Sequence, residues 1–422
     1  MRVLVLGAGV VGIATAYYLW RDRHEVTVVE RNAGAAGETS FGNAGGLCPS
    51  FAGPWAAPGM VSKVMRMLLQ ADAPIRFRPQ ASLPQWRWIA RWVAECNPES
   101  FRRNKLRMQR VAHYSLACLR SLADEAGLHD FDFHADGTLW LFRTPQEAEL
   151  GRLAARALDS FGVPWRWLEP HEVDACEPAL AQRSARIAGA LQLPADASGD
   201  SHRFAQSLAQ LLRDQGVALR FNTTVEALET EGDRVTGVRS SAGRLTADAC
   251  VVALGNQAPF LLRPLGLNLP VYPLKGYSIT VPLLADAPDI RPALMDEHNK
   301  VMISRLGGRI RAAGMAELGG YGLSADPAQR EMLLRVVREF IPRGMDEQRV
   351  DFWAGLRPMT PDGPPILGPT RWRGLFLNSG HGSNGWTQAC GTSRIVASLV
   401  AGRTPEIDLE GLTGERFGIS AR

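Results

Sequence analysis

The feature that most limits the possible folds is a glycine-rich turn directly after the first apolar run of the chain. Residues 2–6 (Arg-Val-Leu-Val-Leu) have the composition of a buried strand, and the pattern G-x-G-x-x-G follows at once with Gly7, Gly9 and Gly12. Gly7 permits a tight turn, Gly9 lets a pyrophosphate approach the backbone, and Gly12 lets the next helix pack close to the sheet. The start of that helix offers free N–H groups and the positive end of the helix dipole to phosphates.

A second apolar run completes the unit. Residues 25–30 (Glu-Val-Thr-Val-Val-Glu) end in Glu30, 18 residues after Gly12, where a carboxylate can accept hydrogen bonds from a ribose diol. Strand, glycines, helix and distant acid together predict a dinucleotide site. A signal peptide or membrane anchor is the alternative for residues 1–20, but the glycines and the lack of a small-residue cleavage site argue against it.

Composition limits the remaining classes. A chain of 422 residues predicts two domains, and its net charge of +4 argues against a general polyanion binder. No apolar run is long enough for a spanning helix. The six cysteines lie far apart without a C-x-x-C pair and the histidines lack close spacing, so we predict no metal site and no disulfide framework. A reduced, cytoplasmic location is expected.

Sheet-like patterns return twice after the first unit. Residues 196–265 hold a helix at 201–215, with Asp200 as its expected cap, followed by three apolar strands. Near the C-terminus, residues 375–377 predict a short strand and residues 385–400 a helix. We therefore predict an α/β fold with a Rossmann-like domain assembled from residues 1–50, 196–265 and 351–422. Residues 51–195 and 266–350 would form a second, α+β substrate domain, since 266–350 shows the alternation of an antiparallel sheet.

Features outside the first unit favour a flavin over a nicotinamide. Small and hydroxyl-bearing residues between 37 and 46 can line an extended cofactor, and the glycine-rich residues 380–385 open a helix whose dipole would stabilise the charge of a reduced flavin. Cys390 falls inside that helix and no cysteine lies in 356–368, so we expect non-covalent FAD. An ordinary strand–helix connection and an NAD-dependent dehydrogenase are the alternatives. The candidate FAD-binding residues are Gly7, Gly9, Val10, Val11, Gly12, Glu30, Arg31, Thr39, Ser40, Asn43, Ala44, Gly45, Val225, Gly255, Gly380, Gly382, Gly385 and Trp386.

Several motifs together carry a resemblance to a known family. They are residues 7–12, Thr39-Ser40 with residues 43–45, Pro54-Trp-Ala-Ala-Pro-Gly59, residues 271–278 (Val-Tyr-Pro-Leu-Lys-Gly-Tyr-Ser), residues 314–317 (Gly-Met-Ala-Glu), residues 355–363 (Gly-Leu-Arg-Pro-Met-Thr-Pro-Asp-Gly), and residues 380–382 with Gly385-Trp386. Over essentially its whole length the chain resembles the bacterial FAD-dependent D-amino acid dehydrogenases, within the wider group of glycine oxidase, sarcosine oxidase and D-amino acid oxidase. The resemblance implies oxidative deamination of a D-amino acid to a 2-oxo acid and ammonia, with electrons passed from FAD to a quinone or other respiratory acceptor.

The chain also departs from this family. Ser383-Asn384 replaces Thr-Leu, Gln388 replaces Met, and Gly46-Leu47 replaces Gln-Ile. A D-hydroxyproline or other cyclic imino acid dehydrogenase therefore stays open. An oxidase that forms peroxide and a non-catalytic FAD-containing subunit are further alternatives.

Four residues are candidates for catalysis. Arg357 would hold the substrate carboxylate, since a guanidinium binds a planar carboxylate in a bidentate fork. Tyr277 and Lys275 would cover the active site or contact the carboxylate. The alternative is a tyrosine that packs in the sheet beside a lysine that lies in solvent. His381 would tune the charge of the flavin, or else bond to the backbone of its turn. The amine must be neutral to push hydride from Cα, and the motifs identify no general base.

A basic segment rich in tryptophan spans residues 61–110. It holds eleven lysines and arginines against three acids, and Trp86, Trp88 and Trp92 alternate with Arg87 and Arg91. This pattern indicates a peripheral contact with an anionic membrane, which would place the protein on the inner face of the cell membrane. The alternative is a helical insertion with inward tryptophans. No nucleic-acid motif accompanies the charge, so no nucleic-acid partner is expected.

Overall fold

A computed structural model describes residues 1–67 and 74–420 of the protein. Its strands are β1 Arg2–Leu6, β2 Glu25–Val29, β3 Gly46–Leu47, β4 Ile75–Phe77, β5 Thr138–Phe142, β6 Arg166–Leu168, β7 Gly189–Leu193, β8 Ala197–Ser198, β9 Ala218–Arg220, β10 Val225–Glu231, β11 Arg234–Ser240, β12 Gly243–Thr246, β13 Ala249–Val252, β14 Tyr272–Pro282, β15 Ala293–Asp296, β16 Val301–Leu306, β17 Arg309–Leu318, β18 Asp351–Met359, β19 Ile366–Pro369 and β20 Leu375–Ser379. Its α-helices are α1 Val10–Arg21, α2 Met60–Met67, α3 Leu83–Glu95, α4 Pro98–Ala126, α5 Pro145–Asp159, α6 Pro170–Cys176, α7 Ser201–Asp214, α8 Ala258–Leu262, α9 Pro327–Phe340 and α10 Gly385–Val400.

The first sheet has the strand order β19-β20-β13-β1-β2-β9. All neighbours are parallel except β19, which runs antiparallel to β20. Residues 3–6 of β1 are at most 4% exposed, because α1, α7 and α10 cover one face of the sheet and a second apolar cluster covers the other. The predicted Rossmann-like sheet is confirmed, and its strands come from three separated stretches of the chain. Of the three strands predicted within residues 196–265, the middle one is β11, which lies in a separate sheet of order β10-β11-β12 instead.

The second sheet has the order β18-β14-β17-β16-β15-β5-β7-β6, with β4 paired to β17. Its pairs are antiparallel except β15–β5 and β17–β4. Alternating residues of β14, β16 and β17 pack against α9, so the apolar period of two predicted from the sequence is confirmed. The opposite face of the sheet is left to line a cavity.

Two helix boundaries agree with their sequence signals. The Asp200 carboxylate accepts the N–H groups of His202 and Arg203, which confirms the predicted cap of α7. Helix α10 ends at Val400, two residues before Gly402, whose φ of +70° is easy only for glycine.

The basic segment contains parts of α2 and α4, the whole of α3 and the short strand β4, and residues 68–73 lie outside the described residues. Trp88 is buried and donates its Nε1–H to the Met359 carbonyl oxygen, with Trp92 stacked on it at 6.5 Å. Trp86 is 47% exposed. Trp88 and Trp92 thus fit a helical insertion with inward tryptophans, whereas the exposed Trp86 fits a contact with a membrane surface. In the parts of the chain that the structure covers, no helix is long and apolar enough to cross a membrane.

Candidate functional site

A cavity of about 1120 Å³ lies between the two sheets. It begins at the carboxyl ends of β1, β2 and β13, with Gly7, Glu30 and Ala253, and runs to the second sheet at Arg357. The carboxyl edge of a parallel sheet is where such folds bind nucleotides. The volume exceeds the roughly 300–1,000 Å³ of a site for one small ligand, so a dinucleotide and a substrate can share it.

The glycine turn closes the first end of the cavity. Gly7 has a φ of +103°, and a Cβ there would lie 2.7 Å from the Ala253 carbonyl oxygen. A Cβ on Gly12 would lie 1.9 Å from the Gly7 carbonyl oxygen, so α1 can approach the turn only at glycine. The Glu30 carboxylate accepts the Ala8 N–H at 2.8 Å, which ties the turn to β2 and leaves the acid on the cavity wall.

The loop after β2 lies along the cavity. Ser40 Oγ accepts the Val10 N–H at 3.1 Å and so caps α1, whose own N-cap Gly9 has no side chain. Thr39 Oγ1 donates to the Leu356 carbonyl oxygen, and Asn43 Oδ1 accepts the Gly45 N–H, both at 2.8 Å. The exposed Arg31 pairs with Glu38. These polar residues fix the turns of the loop beside the path from Glu30 to Arg357.

The start of α10 forms another wall. Among the described residues, neither residues 382–384 nor α10 has a side-chain cap, so no side chain competes with a ligand at this helix start. His381 Nε2 is hydrogen-bonded to Thr392 Oγ1 at 3.0 Å, and burial lowers the pKa of His381 to about 3, which keeps it neutral.

Two buried polar atoms on this wall, Ser379 Oγ and Asn378 Oδ1, have no hydrogen-bond partner among the described residues. Together with the glycine turn and the uncapped start of α10, they fit a polar, phosphate-bearing group of the size of FAD.

Most predicted cofactor residues border the cavity. They are Gly7, Gly9, Val10, Val11, Glu30, Arg31, Thr39, Ser40, Asn43, Ala44, Val225, Gly255, Gly382, Gly385 and Trp386. Gly12, Gly45 and Gly380 lie behind the wall instead. A Cβ on Gly45 would press on Leu306 and one on Gly380 on Thr360, so these glycines allow close packing rather than touch a ligand.

Arg357 projects from β18 across the second sheet. Its Nη1 donates to the Met315 carbonyl oxygen at 2.7 Å and its Nη2 to that of Gly314 at 3.4 Å. A Cβ on Gly276 would lie 2.5 Å from Nη2, so that glycine makes room for the guanidinium. Burial lowers the pKa of Arg357 to about 10, which still leaves it charged at neutral pH. No carboxylate within residues 1–67 and 74–420 pairs with it.

Tyr277 and Lys275 lie on the other face of β14, since their positions alternate with that of Gly276. The Lys275 ammonium lies 2.9 Å from the Glu317 carboxylate, and the Tyr277 hydroxyl donates to the same carboxylate at 3.1 Å. Burial and Glu317 raise the pKa of Tyr277. Tyr277 is 2% exposed and adds to the cavity wall, whereas Lys275 does not. Tyr277 therefore fits the sheet-packing alternative better than substrate contact. Lys275 does not lie in solvent as that alternative expected, since it is 5% exposed and paired with Glu317.

The structure brings residues to the cavity that the motifs did not identify. Three of the four lysines in the chain line it, namely Lys63, Lys105 and Lys300, and Glu297 lines it beside Lys300. Lys105 is 8% exposed and lies among the rings of Phe51, Phe101 and Phe161. The scarcity of lysine among 47 basic residues is the only sequence signal that could have marked these positions.

Fold and cavity together define an α/β oxidoreductase with a dinucleotide cofactor. The chain matches the family described as FAD dependent oxidoreductase over residues 2–399 and belongs to it.

Its relatives include a D-amino acid dehydrogenase of Methylobacterium nodulans, 47% identical over 99% of both chains, and one of Granulibacter bethesdensis, 44% identical over 99% of this chain and 100% of the other. Similar solved structures are glycine oxidase from Geobacillus kaustophilus, with a TM-score of 0.74, 24% identity and 98% coverage of both chains, and L-proline dehydrogenase from P. horikoshii, with a TM-score of 0.75, 20% identity and coverage of 100% of this chain and 99% of the other.

Proposed function

We propose that this protein is a D-amino acid dehydrogenase, which deaminates D-amino acids oxidatively to 2-oxo acids and ammonia. The observation that carries the proposal is the Arg357 guanidinium, which lines the cavity without an acidic partner among the described residues. A substrate carboxylate provides that partner in bidentate geometry. The full-length relatives named D-amino acid dehydrogenase support the D isomer and the dehydrogenase activity.

The chain contributes binding and orientation to this reaction. Bound FAD supplies the acceptor for the hydride that leaves the substrate Cα. The glycine turn, Glu30, the loop 37–46 and the start of α10 would hold FAD without a covalent link, since Cys390 is buried inside α10. Arg357 fixes the carboxylate and thereby the direction of the Cα–H bond. Neutral His381 orients its loop through Thr392 and adds no charge. The imine product hydrolyses in water.

Anaerobic bleaching of the bound flavin tests the proposal. The purified protein is mixed with a panel of D- and L-amino acids and cyclic imino acids, and absorbance near 450 nm, where flavins absorb, is followed. We expect bleaching by D-amino acids and slow or no bleaching by their L isomers. Peroxide formed in air is measured alongside reduction of an artificial acceptor.

Each alternative has its own outcome in this experiment. Bleaching by cyclic imino acids alone would change the proposed substrate class from D-amino acids to cyclic imino acids. Formation of stoichiometric peroxide in air would show that the protein is an oxidase. Bleaching by L isomers alone would overturn the stereochemistry. No bleaching by any compound would favour a non-catalytic subunit.

We further propose that the electrons pass to a membrane quinone or another respiratory acceptor from the inner face of the cell membrane. Support comes from the outward face of α3, where Leu83, Trp86 and Val93 are 60%, 47% and 44% exposed. Arg87 and Arg91 are exposed on the same helix. Exposed apolar side chains flanked by arginines suit the interface of an anionic bilayer.

A further inference from the structure

The turn between β15 and β16, residues 297–300, carries an ion pair on the cavity wall. The Lys300 ammonium contacts the Glu297 carboxylate, and both residues line the cavity. The second oxygen of Glu297 is buried and has no hydrogen-bond partner among the described residues. Lys300 is therefore the group that balances this carboxylate, and the carboxylate in turn holds the position of the amine.

This pair lies next to the guanidinium proposed to hold the substrate. Val301 pairs with Gly314 across β16 and β17, and a Cβ on Gly314 would lie 2.7 Å from the Lys300 carbonyl oxygen. The Arg357 guanidinium bonds to the carbonyl oxygens of Gly314 and Met315 on the same strand. One strand spacing, about 4.8 Å, thus separates the backbone of Lys300 from the strand that the guanidinium contacts. The backbone of Lys300 and the Arg357 guanidinium thus approach the same two residues of β17, Gly314 and Met315.

The backbone is unusual at the same place. Lys300 has a φ of +56° and Met315 a φ of +62°, two of the six non-glycine residues in the described chain with positive φ. L-residues adopt this conformation at a cost, and such residues concentrate at functional sites because the surrounding structure holds them there. Here the two residues face each other beside the guanidinium, so the backbone of Lys300 is held in a costly conformation next to the proposed substrate site.

On the basis of the proposed function, we propose that Lys300 is the base that accepts a proton from the α-ammonium group of the substrate, with Glu297 as its positioning residue. The step converts R–NH3+ and the free amine of Lys300 into R–NH2 and a Lys300 ammonium. No other bond changes. The lone pair released on the substrate nitrogen then supports departure of the hydride from Cα. The new positive charge on Lys300 forms opposite Glu297.

The charges around Lys300 suit this role. Burial and the nearby Lys63 on α2 lower the pKa of Lys300 to about 8, against the opposite effects of Glu147 on α5 and Asp296 on β15. Glu297 on the same turn contacts the ammonium, and Arg357 and Lys105 line the same cavity. A free amine is thus accessible near neutral pH, and the rate of flavin reduction should rise as pH increases through about 8.

The test compares the holoenzyme with its Lys300→Met, Lys300→Ala and Glu297→Gln variants, and with His298→Gln as a matched control. His298 lies on the same turn but bonds to Glu147 and does not border the cavity. Flavin reduction by D-alanine is measured under anaerobic conditions between about pH 6 and 10, and KM and kcat are separated. Flavin content and the melting temperature show whether each variant is folded and loaded.

We expect Lys300→Met to retain FAD and to lower kcat by roughly 100-fold or more, with a much smaller change in KM. The rise of the rate near pH 8 should disappear. Primary alkylamines added to Lys300→Ala should restore activity in proportion to their basicity. Glu297→Gln should move the rise to lower pH, because loss of the carboxylate favours the free amine. His298→Gln should behave as the parent enzyme.

An unchanged kcat in Lys300→Met, or a pH profile that keeps its rise without rescue by amines, would overturn the assignment of Lys300. If Lys300→Met does not fold, amine rescue of Lys300→Ala decides the matter. Failure of every amino acid to bleach the parent enzyme would instead overturn the proposed function and this inference together, so the two failures are distinguishable.

Discussion

At the scale of single residues, the decisive contrast is between Arg357 and Lys275. Both are cations on neighbouring strands, but β14 and β18 place them on opposite faces of one sheet. Lys275 meets Glu317 and forms a buried pair, whereas Arg357 bonds only to carbonyl oxygens within residues 1–67 and 74–420 and keeps its charge uncompensated there. A buried cation without an anion is costly unless a ligand brings one. Arg357 therefore indicates the substrate site because no carboxylate among the described residues pairs with it, and not because it is positively charged.

Arg357→Lys should raise the KM for the D-amino acid by at least tenfold while FAD stays bound, because an ammonium cannot form the bidentate fork. A charged hydrogen bond contributes about 1.5–3 kcal/mol, which agrees with a change of this size. The measurement is anaerobic flavin reduction as a function of substrate concentration, with the absorbance spectrum as the check on flavin content.

Tyr277→Phe serves as the comparison for Arg357→Lys. Its hydroxyl bonds to Glu317 on the far face of β14, so KM should stay within about twofold and the loss should be about 1 kcal/mol of stability. An unchanged KM in Arg357→Lys would show that Arg357 does not hold the substrate carboxylate. A tenfold rise of KM in Tyr277→Phe would show that Tyr277 contributes to substrate binding.

At the scale of elements, α1 can contact the glycine turn only because Gly12 has no Cβ. A Cβ on Gly12 would lie 1.9 Å from the Gly7 carbonyl oxygen, and neither atom belongs to a flexible side chain. Gly12→Ala must therefore move the helix away from the turn, which disturbs the N–H groups expected to face the pyrophosphate.

We expect Gly12→Ala to lose most of its bound FAD on purification, measured as the ratio of absorbance near 450 nm to that at 280 nm. Gly308→Ala is the matched control, since nothing lies within 4 Å of its added Cβ and its φ is not positive. Full flavin content in Gly12→Ala would show that α1 tolerates displacement and that the turn is not the main contact to the cofactor.

The elements differ in how far the sequence predicts them. The strands of the first sheet other than β19, and α7 with its Asp200 cap, follow from local patterns, because a period and a cap are properties of neighbouring residues. The face on which Tyr277 and Lys275 lie depends on the register between β14 and β18, which no local pattern contains. The Glu297–Lys300 pair was missed for the same reason, since its importance comes from the nearness of Arg357.

At the scale of the whole molecule, the site is assembled from stretches far apart in sequence. The Leu356 carbonyl oxygen accepts hydrogen bonds from Thr39 of the first loop and from Asn256 after β13, so one residue of the second sheet is tied to two parts of the first. These bonds keep Arg357, the next residue, at a fixed place relative to the cofactor side of the cavity. The family relationship extends over residues 2–399, as expected where no segment alone forms the site.

The proposed contact with a membrane is also a property of the whole molecule. Flotation with vesicles of anionic lipid should carry the protein upward, and vesicles of neutral lipid should carry less of it, since Arg87 and Arg91 add roughly 1 kcal/mol each near an anionic surface. The Leu83→Ser and Val93→Ser double variant should reduce the floated fraction about tenfold, because it removes apolar area from the outward face of α3.

A matched control for the flotation experiment is available on α5. Leu150 and Leu153 are 61% and 53% exposed, so their double replacement by serine removes a comparable apolar area from another surface. Equal flotation of the parent and the α5 variant, with loss in the α3 variant, would assign the contact to α3. Protein left in the dense fraction with anionic vesicles would contradict the membrane contact. Trp86, Arg87 and Arg91 would then be ordinary solvated surface residues, and the electron acceptor would have to diffuse to the cavity.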